Sequence, residues 1–346
     1  MEELSVRAPL AWVMPGVEVH DARVTASGGA ITYAGPAGEA PDAERELDVD
    51  GFLMPAVADR HVHIGLSDPA AVLLGGVTAV RDLAWPADQI FGLADASELP
   101  SYNGPLIRAT GPMLTGVGGY PTGDTWAPPG TGRELHGTDD AASAVAELAD
   151  RGATAIKISL NVEAGPTPTD AELAVICEAA GERGIPVTAH AQGRGQVERA
   201  LGAGVHELAH TPFTEELSDG VIQTLARTTR IVSTLGIFAG GGEPRVLRNA
   251  LANLMRFREA GGRVSYGTDL GNGEWEIPPG ISVREAVLLG EAGMPAEDVL
   301  AAMVRGHLEP GAPADLIALA RDPRQHREAF RELLLVLRGG VVAAHR

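Results

Sequence analysis

A chain of 346 residues, 45% hydrophobic and 21% charged, suits one large α/β domain with an annex, or two domains. Its formal net charge of −19, with no basic run, disfavours nucleic acid and anionic membrane surfaces and leaves a small molecule or peptide as the expected partner. The single Cys177 excludes an internal disulfide and fits a reducing compartment; with no signal peptide or membrane span read in the sequence, the expected location is cytoplasmic.

In chain order, residues 10–50 alternate in short segments broken by turn residues, the pattern of a small β-meander. Such a ribbon is marginal alone and needs a partner. The tail offers one, in the runs A-D-L-I-A-L from Ala314 and L-L-L-V-L-R-G-G-V-V-A-A-H from Leu333. Residues 1–54 and 306–346 are therefore expected to form one composite β-sandwich around residues 55–305.

In that central segment, strand-like apolar runs alternate with helical patterns. The expected strands are 53–58, 77–82, 106–110, 155–160, 186–191, 205–211, 230–235 and 263–269, which together make a (β/α)₈ TIM-type barrel. Thr138 and Thr169 read as helix caps, and the helices they open stop at glycine. Cys177, in A-E-L-A-V-I-C-E-A-A, reads as a packed thiol on an amphipathic helix. The Gly/Pro-rich stretch 111–137 is too long for an idle connection and is expected to serve as a lid or substrate loop.

Lys157, in A-T-A-I-K-I-S-L, is the only lysine in the chain; every other basic position is arginine. Arginine stays protonated, whereas a desolvated lysine can become a neutral amine. Its neighbours Ile156 and Ile158 argue for a buried strand, near whose C-terminal end α/β barrels keep their chemistry. At the end of the first strand, His61 and His63 are two residues apart and share one face, a spacing that suits metal ligation. His190, His210 and Asp269 fall at later strand ends. The remaining histidines discussed, His20, His206, His326 and His345, are expected away from the chemistry. Tyr120 and His136 in the long loop, and Trp275 beyond Asp269, are candidate substrate contacts.

These residues carry a resemblance. The chain resembles the metal-dependent amidohydrolases, in particular the imidazolonepropionase-like subgroup, over nearly its whole length. Further matches are Met54-Pro55-Ala56, G-V-T-A-V-R-D-L from Gly76, G-P-M-L-T-G-V-G-G-Y-P from Gly111, A-H-A-Q-G from Ala189, and L-E-P-G-A-P-A-D-L-I-A-L from Leu308. Ala56 stands where glycine is usual, and Ala209-His210-Thr211 replaces a common E-H-G. The resemblance implies that His61, His63 and Asp269 hold one divalent ion, that His190 and His210 hold a second, and that Lys157 bridges them as a CO2-derived carbamate. A carbamate supplies two anionic oxygens where a protonated lysine would repel both cations. The N/O ligands suit zinc first, with manganese or iron as alternatives. Two ions about 3.5–4 Å apart can hold a hydroxide between them and polarise a carbonyl, with Asp269 as proton shuttle.

The expected reaction is hydrolysis of an amide-type C–N bond in a dipeptide, N-acyl amino acid, lactam or related small molecule. A deaminase of an aminated heterocycle is the nearest alternative; such enzymes generally use one metal and lack the bridging lysine. A lactonase or esterase, and an inactive scaffold, stand as further alternatives. A homo-oligomer is compatible with the sequence.

Overall fold

The computed structural model describes residues 3–240, 243–271 and 277–346. The first strands, β1 (Leu4–Met14), β2 (Val17–Ser27), β3 (Ala30–Pro36), β4 (Arg45–Asp48) and β5 (Phe52–Pro55), begin one eight-stranded sheet. The tail completes it: β16 (Leu316–Leu319) pairs antiparallel with β5, then β17 (Leu333–Arg338) and β18 (Val341–His345) follow outward. Alternate residues of these strands, including Val6, Val24, Ile31, Leu316, Leu335 and Leu337, share a separate apolar core. The β3 end also meets the segment before β16, where Ile31 N donates to Ala312 O at 2.8 Å. Both termini thus need each other, because neither half of this sheet could bury its apolar face alone.

The central segment is mixed α/β. Strands β6 (Val57–Val62), β7 (Val77–Asp82) and β8 (Leu106–Ala109) pair in parallel. A second parallel sheet holds β9 (Met113–Gly116), β10 (Gly132–Leu135), β11 (Ile156–Asn161), β12 (Val187–Gln192), β13 (Glu207–Leu208), β14 (Arg230–Val232) and β15 (Arg263–Ser265), in the order β10-β9-β11-β12-β13-β14-β15. Backbone hydrogen bonds join the two sets at both ends. Thr154 N donates to Ala109 O at 2.9 Å on one side, and Arg60 N to Tyr266 O at 3.0 Å on the other.

The structure corrects several expectations. The run 53–58 is two strands: Pro55 ends the pairing with β16, Ala56 N donates to Asp315 O at 3.0 Å, and Val57 then pairs with Val77. An unbroken apolar run cannot show where a chain leaves one sheet for another. The stretch 111–137 is not structureless, since it contains β9 and β10. The expected strands 205–211, 230–235 and 263–269 are shorter than expected, confined to 207–208, 230–232 and 263–265. Thr169 does cap its helix, Asp170–Glu182, through a capping box with Glu172. Thr138 does not; the N-cap of Thr138–Asp150 is Gly137, with φ +103°, a conformation glycine adopts without strain.

Cys177 packs against the apolar core from its helix, and burial pushes its thiol up to about 11. Because burial disfavours the thiolate, the thiol stays protonated until the pH approaches that value. Iodoacetamide at pH 8 should therefore label native protein far more slowly than urea-unfolded protein. Equal rates would place this thiol at the surface.

Candidate metal centre

Strand alternation aims the polar side chains. On β11, Ile156, Ile158 and Leu160 enter the apolar core, while Lys157 and Asn161 line a cavity of about 330 Å³. On β12, adjacent in register, His190 and Gln192 line the same cavity. His61 on β6, His63 just beyond it, His210 past β13 and Asp269 past β15 complete the floor. Of these, His61, His63, Lys157, His190, His210 and Asp269 are all buried, Lys157 with 0% exposure. The six residues singled out as ligands thus meet in one place.

Hydrogen bonds fix the histidine rings. His61 Nδ1 lies 2.8 Å from Ala209 O, and His63 Nδ1 lies 3.1 Å from Ala84 O. A carbonyl only accepts, so both Nδ1 atoms carry the proton and a neutral ring presents a bare Nε2. Those Nε2 atoms face Asp269 Oδ1 at 3.1 and 3.3 Å. Two lone pairs and a carboxylate at this distance need protons or a cation between them. Burial pushes His61 down to about 4, against a proton there. At His63 burial acts the same way, but the hydrogen bond and charge of Asp269 prevail and its pKa is raised. Burial opposes ionisation of Asp269 as well, yet the adjacent His61, His63 and His210 rings hold its carboxyl well below the usual range. The donor atoms of these three residues all lie within 4.8 Å of one another, a set that fits a divalent cation.

A second converging pair lies alongside. His190 Nε2 lies 3.1 Å from the acceptor Gln192 Oε1 and 3.3 Å from the donor Asn161 Nδ2, so these two contacts leave its tautomer open. His190 Nδ1 faces His210 Nε2 at 3.0 Å, while His210 Nδ1 is bonded to Thr234 Oγ1 at 2.9 Å. Burial pushes His190 down to about 3 and His210 well below its usual value, so both rings are neutral. Lys157 Nζ, fully buried, has no hydrogen-bond partner among the described residues. Burial pushes its pKa down to about 7, so a neutral amine is accessible near neutrality. A buried amine without a hydrogen-bond partner is not explained by packing alone.

The surroundings hold this arrangement rigidly. Asp59 accepts from His61 N at 3.0 Å and from Thr268 N at 3.1 Å, tying the strand of one ligand to the segment carrying Asp269. Asp82 accepts from Ile64 N and Ala84 N at 2.8 and 3.2 Å, fixing the carbonyl that orients His63. Asp269 itself has φ +61° and Thr234 has φ +43°, left-handed conformations that a β-branched residue such as threonine rarely adopts. Both are over-determined: Asp269 N donates to His61 O, and Thr234 N to Gly267 O. After Asp269 the chain passes so close that a Cβ on Gly271 would lie 2.5 Å from His63 O.

The candidate substrate contacts separate. Tyr120 lines the cavity, its ring centroid 5.2 Å from His190. His136 is exposed, its backbone N donating to Asp140 at 2.9 Å, and it is absent from the lining; the strand β10 carries that part of the loop away from the mouth. Trp275 lies outside the described residues. His206 is exposed, as are His20, His326 and His345. Residues that sequence reasoning missed include Trp126, whose ring is 4.5 Å from His63, together with Asp124, Asn161, Gln192, Phe213 and Phe238. Asn161 and Gln192 could have been found from period two, being four residues from Lys157 and two from His190. Arg81, on β7, is bonded to Glu207 and to Arg60 O.

An uncharacterized protein of Mycobacterium tuberculosis is 29% identical to this chain over 332 residues, covering 84% of this chain and 85% of its own. Aspergillus niger ochratoxinase is 24% identical over 358 residues, covering 81% and 72%. The crystal structure of A. niger ochratoxinase matches with TM-score 0.84 at 20% identity over 99% of this chain and 96% of that one. A Xaa-Pro dipeptidase structure with bound methionine in the active site matches with TM-score 0.82 at 21% identity over 98% and 99%. At those identities the structural matches speak for the fold. The Amidohydrolase family model matches residues 52–342, and the chain, whose buried His61, His63 and Asp269 suit a metal, belongs to that family.

Proposed function

We propose that this chain is a binuclear metal hydrolase of the imidazolonepropionase-like subgroup that cleaves an amide-type C–N bond in a small molecule. The observation that carries the reading is Lys157 Nζ, orphaned in a fully buried position among four histidines and Asp269. In this reading His61, His63 and Asp269 hold one ion, His190 and His210 the other, and N-carboxylated Lys157 bridges them. Zinc suits these N/O donors, with manganese or iron as alternatives. Bound there, such ions polarise a carbonyl and acidify water. The framework is a closed (β/α)₈ barrel over 55–305, supported by the hydrogen bonds linking β8 to the start of β11 and β6 to the segment after β15. The residues 1–54 and 306–346 form a composite β-sandwich beside it.

Asp269 carries the proton chemistry. Its carboxylate is ionised and lies at the cavity floor, so it takes a proton from the attacking water as the water oxygen bonds to the carbonyl carbon. When the C–N bond breaks, the same proton passes to the leaving nitrogen, and Asp269 ends ionised as it began. Gln192 and Thr234 orient His190 and His210 throughout. The cavity, about 330 Å³, limits the substrate to a small molecule. A one-metal deaminase would leave Lys157 without a task, whereas esters stay open to the same attack.

The test is a panel of amides, dipeptides, N-acyl amino acids, lactams, lactones and aminated heterocycles, assayed with metal-loaded protein before and after chelation. Amide turnover that disappears with chelator and returns with zinc or manganese is expected. Turnover of aminated heterocycles alone would move the assignment to the deaminases.

A further inference from the structure

The cavity has two unlike arms above its floor. The segment between β9 and β10 contributes Tyr120, Asp124 and Trp126, while the segments after β13 and β14 contribute Phe213, Ile237 and Phe238. The strands that lead into the second arm, β13 and β14, lie three and four places from β9 in the sheet order. The second arm is an apolar wall, with the Phe213 and Phe238 ring centroids 4.3 Å apart. An aromatic or branched aliphatic group of the substrate fits there.

Charge separates the possible partners of the first arm. The lining contains no arginine, and its one lysine is Lys157 at the floor. Arg81 is engaged with Glu207, and Arg194, 93% exposed at its side chain, leans toward Glu215. Residues 241–242 and 272–276 are Gly-Gly and Asn-Gly-Glu-Trp-Glu in sequence, so they add no basic residue. A free substrate carboxylate away from the scissile bond therefore finds no arginine, and no lysine other than Lys157, in the described lining. The opposite holds for an amine: Asp124 lines the cavity, half-buried, and no side-chain hydrogen bond or ion pair among the described residues engages its carboxylate. A carboxylate so placed gains most from a charged donor brought by a ligand. The net charge of −19 further draws cations and repels anions at long range.

We propose that the substrate is an amide bearing a cationic amino group beside an apolar or aromatic group and no free carboxylate, amino-acid amides being the simplest members, with Asp124 receiving the ammonium. This rests on the hydrolase reading for the bond that is cut; the ammonium preference stands on the cavity alone.

Calorimetry on the metal-loaded protein at pH 7 compares 2-phenylethylamine with the uncharged 2-phenylethanol. The amine is expected to bind about tenfold tighter or better. Asp124→Asn should bring the two within about threefold, and Asp124→Glu should keep the preference. Equal binding by the wild type, or a preference unchanged in Asp124→Asn, overturns the inference. In a second arm, kcat/KM is measured for L-phenylalaninamide, phenylacetamide and N-acetyl-L-phenylalanine. A ranking led by the first supports the proposal, and one led by the carboxylate-bearing third overturns it. If none is cleaved while the ammonium preference holds, the hydrolase reading fails and the binding site stands.

Discussion

Lys157→Arg should lower amide turnover by at least ~100-fold in a protein that still folds, the scale seen when one positioned polar group leaves an active site. Conserved charge does not help, because a guanidinium stays cationic and cannot add CO2 to become a two-oxygen anion. Lys157→Ala separates ligation from packing. It should leave a cavity beside the four histidines that acetate, propionate or bicarbonate can enter, restoring part of the rate in a concentration-dependent way. A purely structural lysine would behave otherwise: Lys157→Arg would retain activity, or both variants would lose cooperative melting. Wild-type turnover in folded, metal-loaded Lys157→Arg would end the carbamate reading.

Asp269→Asn should also cost at least ~100-fold in turnover, since the amide keeps an oxygen facing His61 and His63 but cannot carry a proton between water and the leaving nitrogen. Much of the bound metal should remain. The left-handed backbone at Asp269 favours this substitution structurally, as asparagine tolerates φ near +60° better than most residues. Its melting temperature should therefore stay near that of the wild type, so that lost activity reports on chemistry. Near-normal turnover would remove Asp269 from the proton-transfer role.

The candidate site residues were legible because they lie on strands or just past strand ends, and on the strands period two is strict. His61 and His63 share a face, and Lys157 is polar between isoleucines that both point the other way, so a residue list became a geometry. The cavity walls were not legible in this way. Asp124, Trp126 and Phe213 lie on irregular connections and Phe238 ends a four-residue helix, Leu235–Phe238, too short to show a period, and their approach to the site depends on contacts made far away in sequence. His136 shows the converse error: loop membership suggested a place at the mouth, but β10 and the helix Thr138–Asp150 hold that end of the loop outward. Thr234 could not have been anticipated, since its φ of +43° is imposed by hydrogen bonds to its neighbours and runs against its own preference. The boundary at Ala56 was hidden for a simpler reason: the run 53–58, L-M-P-A-V-A, is apolar on both sides of it.

Metal content decides the binuclear reading with the least inference. Protein purified without chelator and analysed by inductively coupled plasma mass spectrometry should contain about two divalent ions per chain. A reproducible value near one, in protein that is fully active, would contradict the shared site at Lys157 and return the chain to a single-ion chemistry.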